Sequence, residues 1–124
     1  MGHPELTPLN DVADVERLMT ESFQHPVVIL KHSRSCGTSA QALDELLDHL
    51  SQPPAHDARY AIVTVQTHRD VSHALAARLG IRHETPQAFV LRNGQVAWHG
   101  SHFRVTARAI DAAVEKVSAL ERTA

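Results

Sequence analysis

Only one cysteine occurs in the 124 residues of this chain. A lone thiol cannot close an internal disulfide, so cross-linking does not hold the fold together, and a reducing cytoplasm is the expected setting. Excess charge is also lacking. The formal net charge is −2 with no clustered basic face, which argues against a nucleic-acid partner. No apolar run approaches the roughly 18 residues that a membrane-spanning helix needs, so no membrane partner is expected. The opening MGHPELTPLN has neither the basic nor the apolar region of a secretory signal. Repeats, low-complexity tracts and internal linkers are missing, so residues 1–124 are expected to form a single domain around one core. The 10 histidines are many, but no C-x2-C or H-E-x-x-H spacing accompanies them. His68 and His73 would face different sides of a helix, and His99 and His102 have no carboxylate beside them in sequence. Solvated surface histidines are the expectation, with no metal site.

What is present is an ordinary globular composition, 43% hydrophobic and 21% charged. Asn10 or Asp11 is placed to cap a helix running to about Ser22, with Val12, Val15, Leu18 or Met19, and Phe23 at helical spacing. Val27 to Leu30 is a continuous aliphatic run, as a strand buried on both faces would be. From about Cys36 to Leu50 a second helix gathers Leu43, Leu46, Leu47 and Leu50 on one side and Asp44, Glu45 and Asp48 on the other. A polar loop, SQPPAHDA, leads to a predicted strand from Tyr60 to Gln66. Asp70 then caps a helix carrying Val71, Leu75 and Leu79, with Gly80 at its C-terminal end. Gln87–Leu91 and Gln95–His99 flank Arg92-Asn93-Gly94, and an Asn-Gly pair between apolar runs signals a hairpin. Thr106 caps a last helix with Ile110, Ala113, Val114, Val117 and Leu120 facing inward. A short strand near Leu6 completes the set. Strands alternating with helices predict an α/β fold: a mixed sheet of four to five strands, about four helices, and an antiparallel C-terminal hairpin.

The cysteine falls where the first central strand gives way to a helix. Unpaired backbone N–H groups and the positive end of the helix dipole meet at such a place, and they favour a thiolate over a thiol. Lys31, His32 and Arg34 lie just upstream, and no residue from 31 to 41 is acidic. Gly37 has no side chain to shield the sulfur. The bland alternative, a small buried cysteine, fits poorly with neighbours as polar and small as SRSCGTS. Cys36 is therefore the candidate nucleophile. Ser39, one helical turn on, either donates its hydroxyl to the sulfur or is an ordinary first-turn serine with a backbone partner.

This arrangement resembles a thioredoxin-like fold, in which the nucleophilic cysteine follows the first central strand. Gly80-Ile81-Arg82 followed by Thr85-Pro86 is similar to the segment that carries that fold's cis-proline. More closely, KHSRSCGTS (31–39) and GIRHETPQAFVLRNGQVAWHGSHFRVT (80–106) resemble the monothiol bacilliredoxin family, the YtxJ-like branch of the thioredoxin-like superfamily. Three segments in the correct order carry that resemblance across nearly the whole chain. Ser39 stands where a dithiol thioredoxin has its second cysteine, and Leu30 where it has a buried carboxylate. Both losses suit monothiol chemistry. Gly37 replaces the family's usual proline and makes C-G-T-S similar to the C-G-F-S of monothiol glutaredoxins, but Trp98-His99-Gly100-Ser101 stands where those have a glycine pair.

The resemblance implies thiol–disulfide exchange with bacillithiol as co-substrate and no tightly bound cofactor. Partners would be bacillithiolated client proteins, a low-molecular-weight thiol and a disulfide reductase. Cys36 would react, with Arg34, Gly37, Thr38, Ser39, Thr85 and Pro86 as substrate-binding or supporting residues, and Thr85-Pro86 cis. His83, Glu84, Ser101 and His102 also match the family pattern, without an assigned role. Two rivals stay open: an iron–sulfur module held by Cys36 from two chains with exogenous thiols, and a non-catalytic adaptor.

Overall fold

A computed structural model describes residues 5–123, the side chains of 120–123 excepted. Five strands and four helices alternate as β1 (Leu6–Pro8), α1 (Ala13–Glu21), β2 (Val27–His32), α2 (Gly37–Leu50), β3 (Arg59–Thr64), α3 (Arg69–Leu79), β4 (Gln87–Arg92), β5 (Gln95–Ser101) and α4 (Ala107–Thr123). They form one mixed sheet ordered β1-β3-β2-β4-β5. β2 runs parallel to β3 and antiparallel to β4, so it lies at the centre. That position explains its sequence, since every residue of VVILKH is buried.

Strand parity divides the core. Val27 and Ile29 face α1 and α3, joining Val15, Leu18, Met19, Val71 and Leu75. Val28 and Leu30 face the other way, onto Ala42 and Leu46 of α2 and Ile110, Ala113 and Val114 of α4. By the same alternation Lys31 falls on the α1/α3 side, where it is fully buried. The inward side chain expected of Leu120 lies outside the described residues.

Several boundaries differ from the sequence reading, each for a local reason. The strand expected to reach Gln66 stops at Thr64, where the chain turns and sends the Gln66 side chain onto the 33–35 segment. The α3 helix starts at Arg69, so Asp70 is inside the first turn rather than at the cap; its carboxylate takes the Val71 N–H. Ahead of α1, Asp11 accepts the Ala13 N–H while Asp14 accepts those of Asn10 and Asp11, a reciprocal pairing of the capping-box kind. Val12 and Phe23 are exposed, 43% and 56%, because both lie outside the helix proper. Phe23 instead leans on the hairpin. Asn93 and Gly94 both have positive φ (56° and 74°), the two-residue turn expected of Asn-Gly, and a Cβ on Gly94 would meet the Phe23 ring at 2.8 Å. Ser22 completes this joint: its carbonyl accepts the Asn93 N–H (2.8 Å) and its hydroxyl the Gly94 N–H (2.8 Å).

Other sequence signals hold as read. Gly80 ends α3 in the left-handed conformation at φ 68°, and the Thr106 hydroxyl accepts the Ala109 N–H at the start of α4.

Candidate active site

Cys36 is the N-cap residue of α2, extended at φ −116° and ψ 121°, and its carbonyl accepts the first helical N–H from Ala40 (3.0 Å). The residue is partly buried, and its thiol is free. Ahead of it, residues 33–35 cross from β2 to α2 over the end of the sheet. They cannot use strand pairing there, so a side chain supplies the bonds. Gln66 Nε2 donates to Ser33 Oγ (2.8 Å) and Ser35 Oγ (3.3 Å), and its Oε1 accepts the Arg34 N–H (3.0 Å). Sequence reading missed Gln66, which it placed inside a strand.

Ser39 is fully buried. Its Oγ accepts the Ser33 N–H (2.9 Å) and meets His32 Nδ1 at 2.8 Å. Both partners belong to the end of β2 and the loop after it, and no hydrogen bond joins this hydroxyl to the sulfur among the described residues. Ser39 thus ties α2 to the sheet directly behind Cys36. His32 is one of the histidines expected at the surface; it is 8% exposed, and burial pushes its pKa below the ordinary imidazole value. Lys31 is also withdrawn from solvent, with Nζ 3.1 Å from His83 Nδ1 and its pKa lowered by burial to about 8. Of the three basic residues upstream, only Arg34 is exposed. Gly37 is not required by crowding, because a Cβ there would meet nothing within 4 Å.

β4 pairs antiparallel with β2 and matches Gln87 to Lys31. The segment that precedes β4 therefore arrives at the same end of the sheet from which the Cys36 loop leaves. There the Thr85–Pro86 peptide is cis, with Thr85 partly buried and Pro86 buried. Side chains from the end of β5 brace this segment. The Ser101 hydroxyl donates to Glu84, His102 Nε2 lies 3.5 Å from the other Glu84 oxygen, and the His102 N–H donates to the Pro86 carbonyl (2.8 Å). The Ser101 hydrogen bond first, then the neighbouring His102, keeps the Glu84 carboxyl below its ordinary range. His102, read as having no carboxylate beside it, gains one from a distant part of the chain. Glu84 also accounts for the Ser-His pair that the sequence left without a role. Thr38 and Phe103 line a small cleft on the α2 side of this end, and Phe103 is 85% exposed. Among the described residues no three His, Cys, Asp or Glu side chains converge as metal ligands do.

A β2-loop-α2 unit with one thiol at the helix cap, at the same end of the sheet as a cis-proline segment opening an antiparallel hairpin, is the arrangement of a thioredoxin-fold redox protein working with a single cysteine. Comparison gives the family. The one described as monothiol bacilliredoxin BrxC matches residues 7–110, and the chain belongs to it. Among solved structures, a thioredoxin-fold protein assigned as an oxidoreductase superposes with a TM-score of 0.76 at 29% identity, covering 88% of this chain and 93% of that one. Thioredoxin f from spinach chloroplast (TM-score 0.67, 17% identity, 90% and 92% covered) and mitochondrial thioredoxin 3 from Saccharomyces cerevisiae (0.68, 16%, 90% and 94%) share the fold.

Proposed function

We propose that the protein removes bacillithiol from client proteins by monothiol exchange at Cys36. The observation that carries this reading is the placement of the chain's lone thiol: half-buried at the α2 cap, at the end of the sheet where the cis Thr85–Pro86 segment also arrives, in a member of the bacilliredoxin family. The first-turn N–H groups and the α2 dipole favour the anion there. Cys36 thiolate attacks the bacillithiol sulfur of a client–S–S–bacillithiol disulfide. The new Cys36–S–S–bacillithiol bond forms as the old one breaks, and the client leaves as a thiolate that takes a proton from water. A second thiol then attacks the bacillithiol sulfur, returns Cys36 as thiolate and carries bacillithiol away as a disulfide, which a disulfide reductase reduces. Ser39 offers no thiol to do this internally.

Within this scheme the Gln66 and Ser39 bonds hold the Cys36 loop in place. In this reading Thr85 backbone groups receive an extended ligand, and Arg34, Gly37 and Thr38 support its approach to the sulfur. The reaction belongs in the cytoplasm, where the low-molecular-weight thiol pool is reduced.

Incubating the protein with a bacillithiolated client, and separately with a glutathionylated one, tests the reading. Wild-type protein should free the bacillithiolated client faster, and Cys36→Ser should free neither. Equal release by Cys36→Ser would defeat it.

A further inference from the structure

Beside the Cys36 loop lies a pocket of about 260 Å³ lined by Val65, Gln66, Arg69, Ser72, His73 and His83. A water in the liquid occupies about 30 Å³, so the space suits a small molecule rather than a single solvent. Gln66 is shared: it lines the pocket and also bonds Ser33, Arg34 and Ser35 immediately before Cys36. Behind the pocket, buried Lys31 turns its Nζ onto His83 Nδ1 (3.1 Å), where Ser72 Oγ also approaches (3.3 Å). A protonated Lys31 can only donate, so Nδ1 accepts and the neutral ring carries its proton on Nε2 as a second donor.

The lining holds an arginine and two histidines, with the lysine behind, and no carboxylate. The nearest acids in sequence are engaged elsewhere: Asp70 takes the Val71 N–H, and Glu84 takes Ser101 and faces His102. Burial lowers the Lys31 pKa with no opposing carboxylate to offset it. The first turn of α3, from which Arg69 and Ser72 project, adds the positive end of a helix dipole. Donors and positive charge converge in a lining that no carboxylate enters, and Glu84 acts on His83 only from outside the pocket.

We propose that this pocket receives the carboxylate end of the low-molecular-weight thiol joined to Cys36, so that the protein selects acid-bearing thiols over neutral ones. The inference rests on the thiol-transfer reading and names its specificity element. Bacillithiol fits the requirement, since it carries a malic-acid group remote from its sulfur. Arg69 supplies the planar donor pair for a carboxylate, His83 Nε2 and His73 further contacts, and Gln66 links the filled pocket to the loop that positions the sulfur.

The test uses one reporter protein carried in two mixed disulfides, with bacillithiol and with uncharged 2-mercaptoethanol, and compares wild type with Arg69→Gln. Arg69 is exposed, so its replacement leaves the core intact. Arg69→Gln should lower kcat/KM for the bacillithiol adduct about tenfold or more, chiefly through KM, and leave the 2-mercaptoethanol adduct unchanged. An equal loss on both adducts, or no loss on either, overturns the proposal. If wild type releases the reporter from neither adduct, thiol transfer is wrong, and malate titration followed by the His73 and His83 ring signals judges the pocket alone. Saturable shifts that vanish in Arg69→Gln uphold it. An absent response, or one stronger with inorganic phosphate than with malate, overturns it.

Discussion

Replacing Lys31 by methionine isolates the energetics of a buried cation in the central strand of the sheet. Lys31 is fully buried on the face it shares with Val27 and Ile29, and its Nζ meets His83 rather than a carboxylate. Burial pulls its pKa from 10.5 to about 8. Between those values the unfolded chain keeps a proton that the folded chain has released, so stability rises with pH across that window. Below pH 8 both states hold the proton, and the folded state bears the full cost of the desolvated ammonium. At 1.36 kcal/mol per pKa unit that cost is roughly 3 kcal/mol. Methionine keeps the length of the side chain without its charge and forfeits one hydrogen bond, worth about 1 kcal/mol. Lys31→Met should therefore be more stable than wild type by about 2 kcal/mol at pH 7, and most of the roughly 3 kcal/mol proton term should vanish by pH 10.5. Urea unfolding of both proteins at several pH values measures this. Taking the difference cancels groups common to both, such as Tyr60, whose hydroxyl burial pushes up to about 12. A difference that stays constant from pH 7 to 10.5 refutes the reasoning.

Two further substitutions probe the frame around the site. Gly94→Ala forces a Cβ into a position at φ 74° and 2.8 Å from the Phe23 ring, and should cost about 1–3 kcal/mol in thermal or urea unfolding; a neutral result would mean that the turn and the ring relax freely. Ser39→Cys places a thiol one helical turn from Cys36, so the oxidised protein should hold an internal disulfide where wild type holds a thiol adduct. Intact mass distinguishes the two, and an unchanged adduct on the variant rules out reach between the positions.

The scaffold was readable because its signals are local. The VVIL run, the Asn-Gly pair and the strand–helix alternation each depend on a few neighbouring residues, and they return β2, the hairpin and the layer order. Cys36 was legible for the same reason, as the junction of an apolar run and an amphipathic helix. What escaped is set by contacts between distant segments. Lys31 reads as one of the basic residues upstream of the thiol until strand parity, carried one residue past the apolar run, puts it with Val27 and Ile29. Gln66 reads as a strand end until the chain turns at Thr64 and its amide reaches across to Ser33. The tie of Ser39 to His32 depends on how α2 folds back against the end of β2, and that of Glu84 to Ser101 and His102 on the register of β4 and β5, which no short window contains.

Intact mass of the protein after mixing with a bacillithiolated client tests the central claim most directly. Transfer through a single thiol predicts one bacillithiol on Cys36, matched by free client thiol, and no adduct on Cys36→Ser. A client that stays modified while wild-type Cys36 remains unadducted contradicts the account.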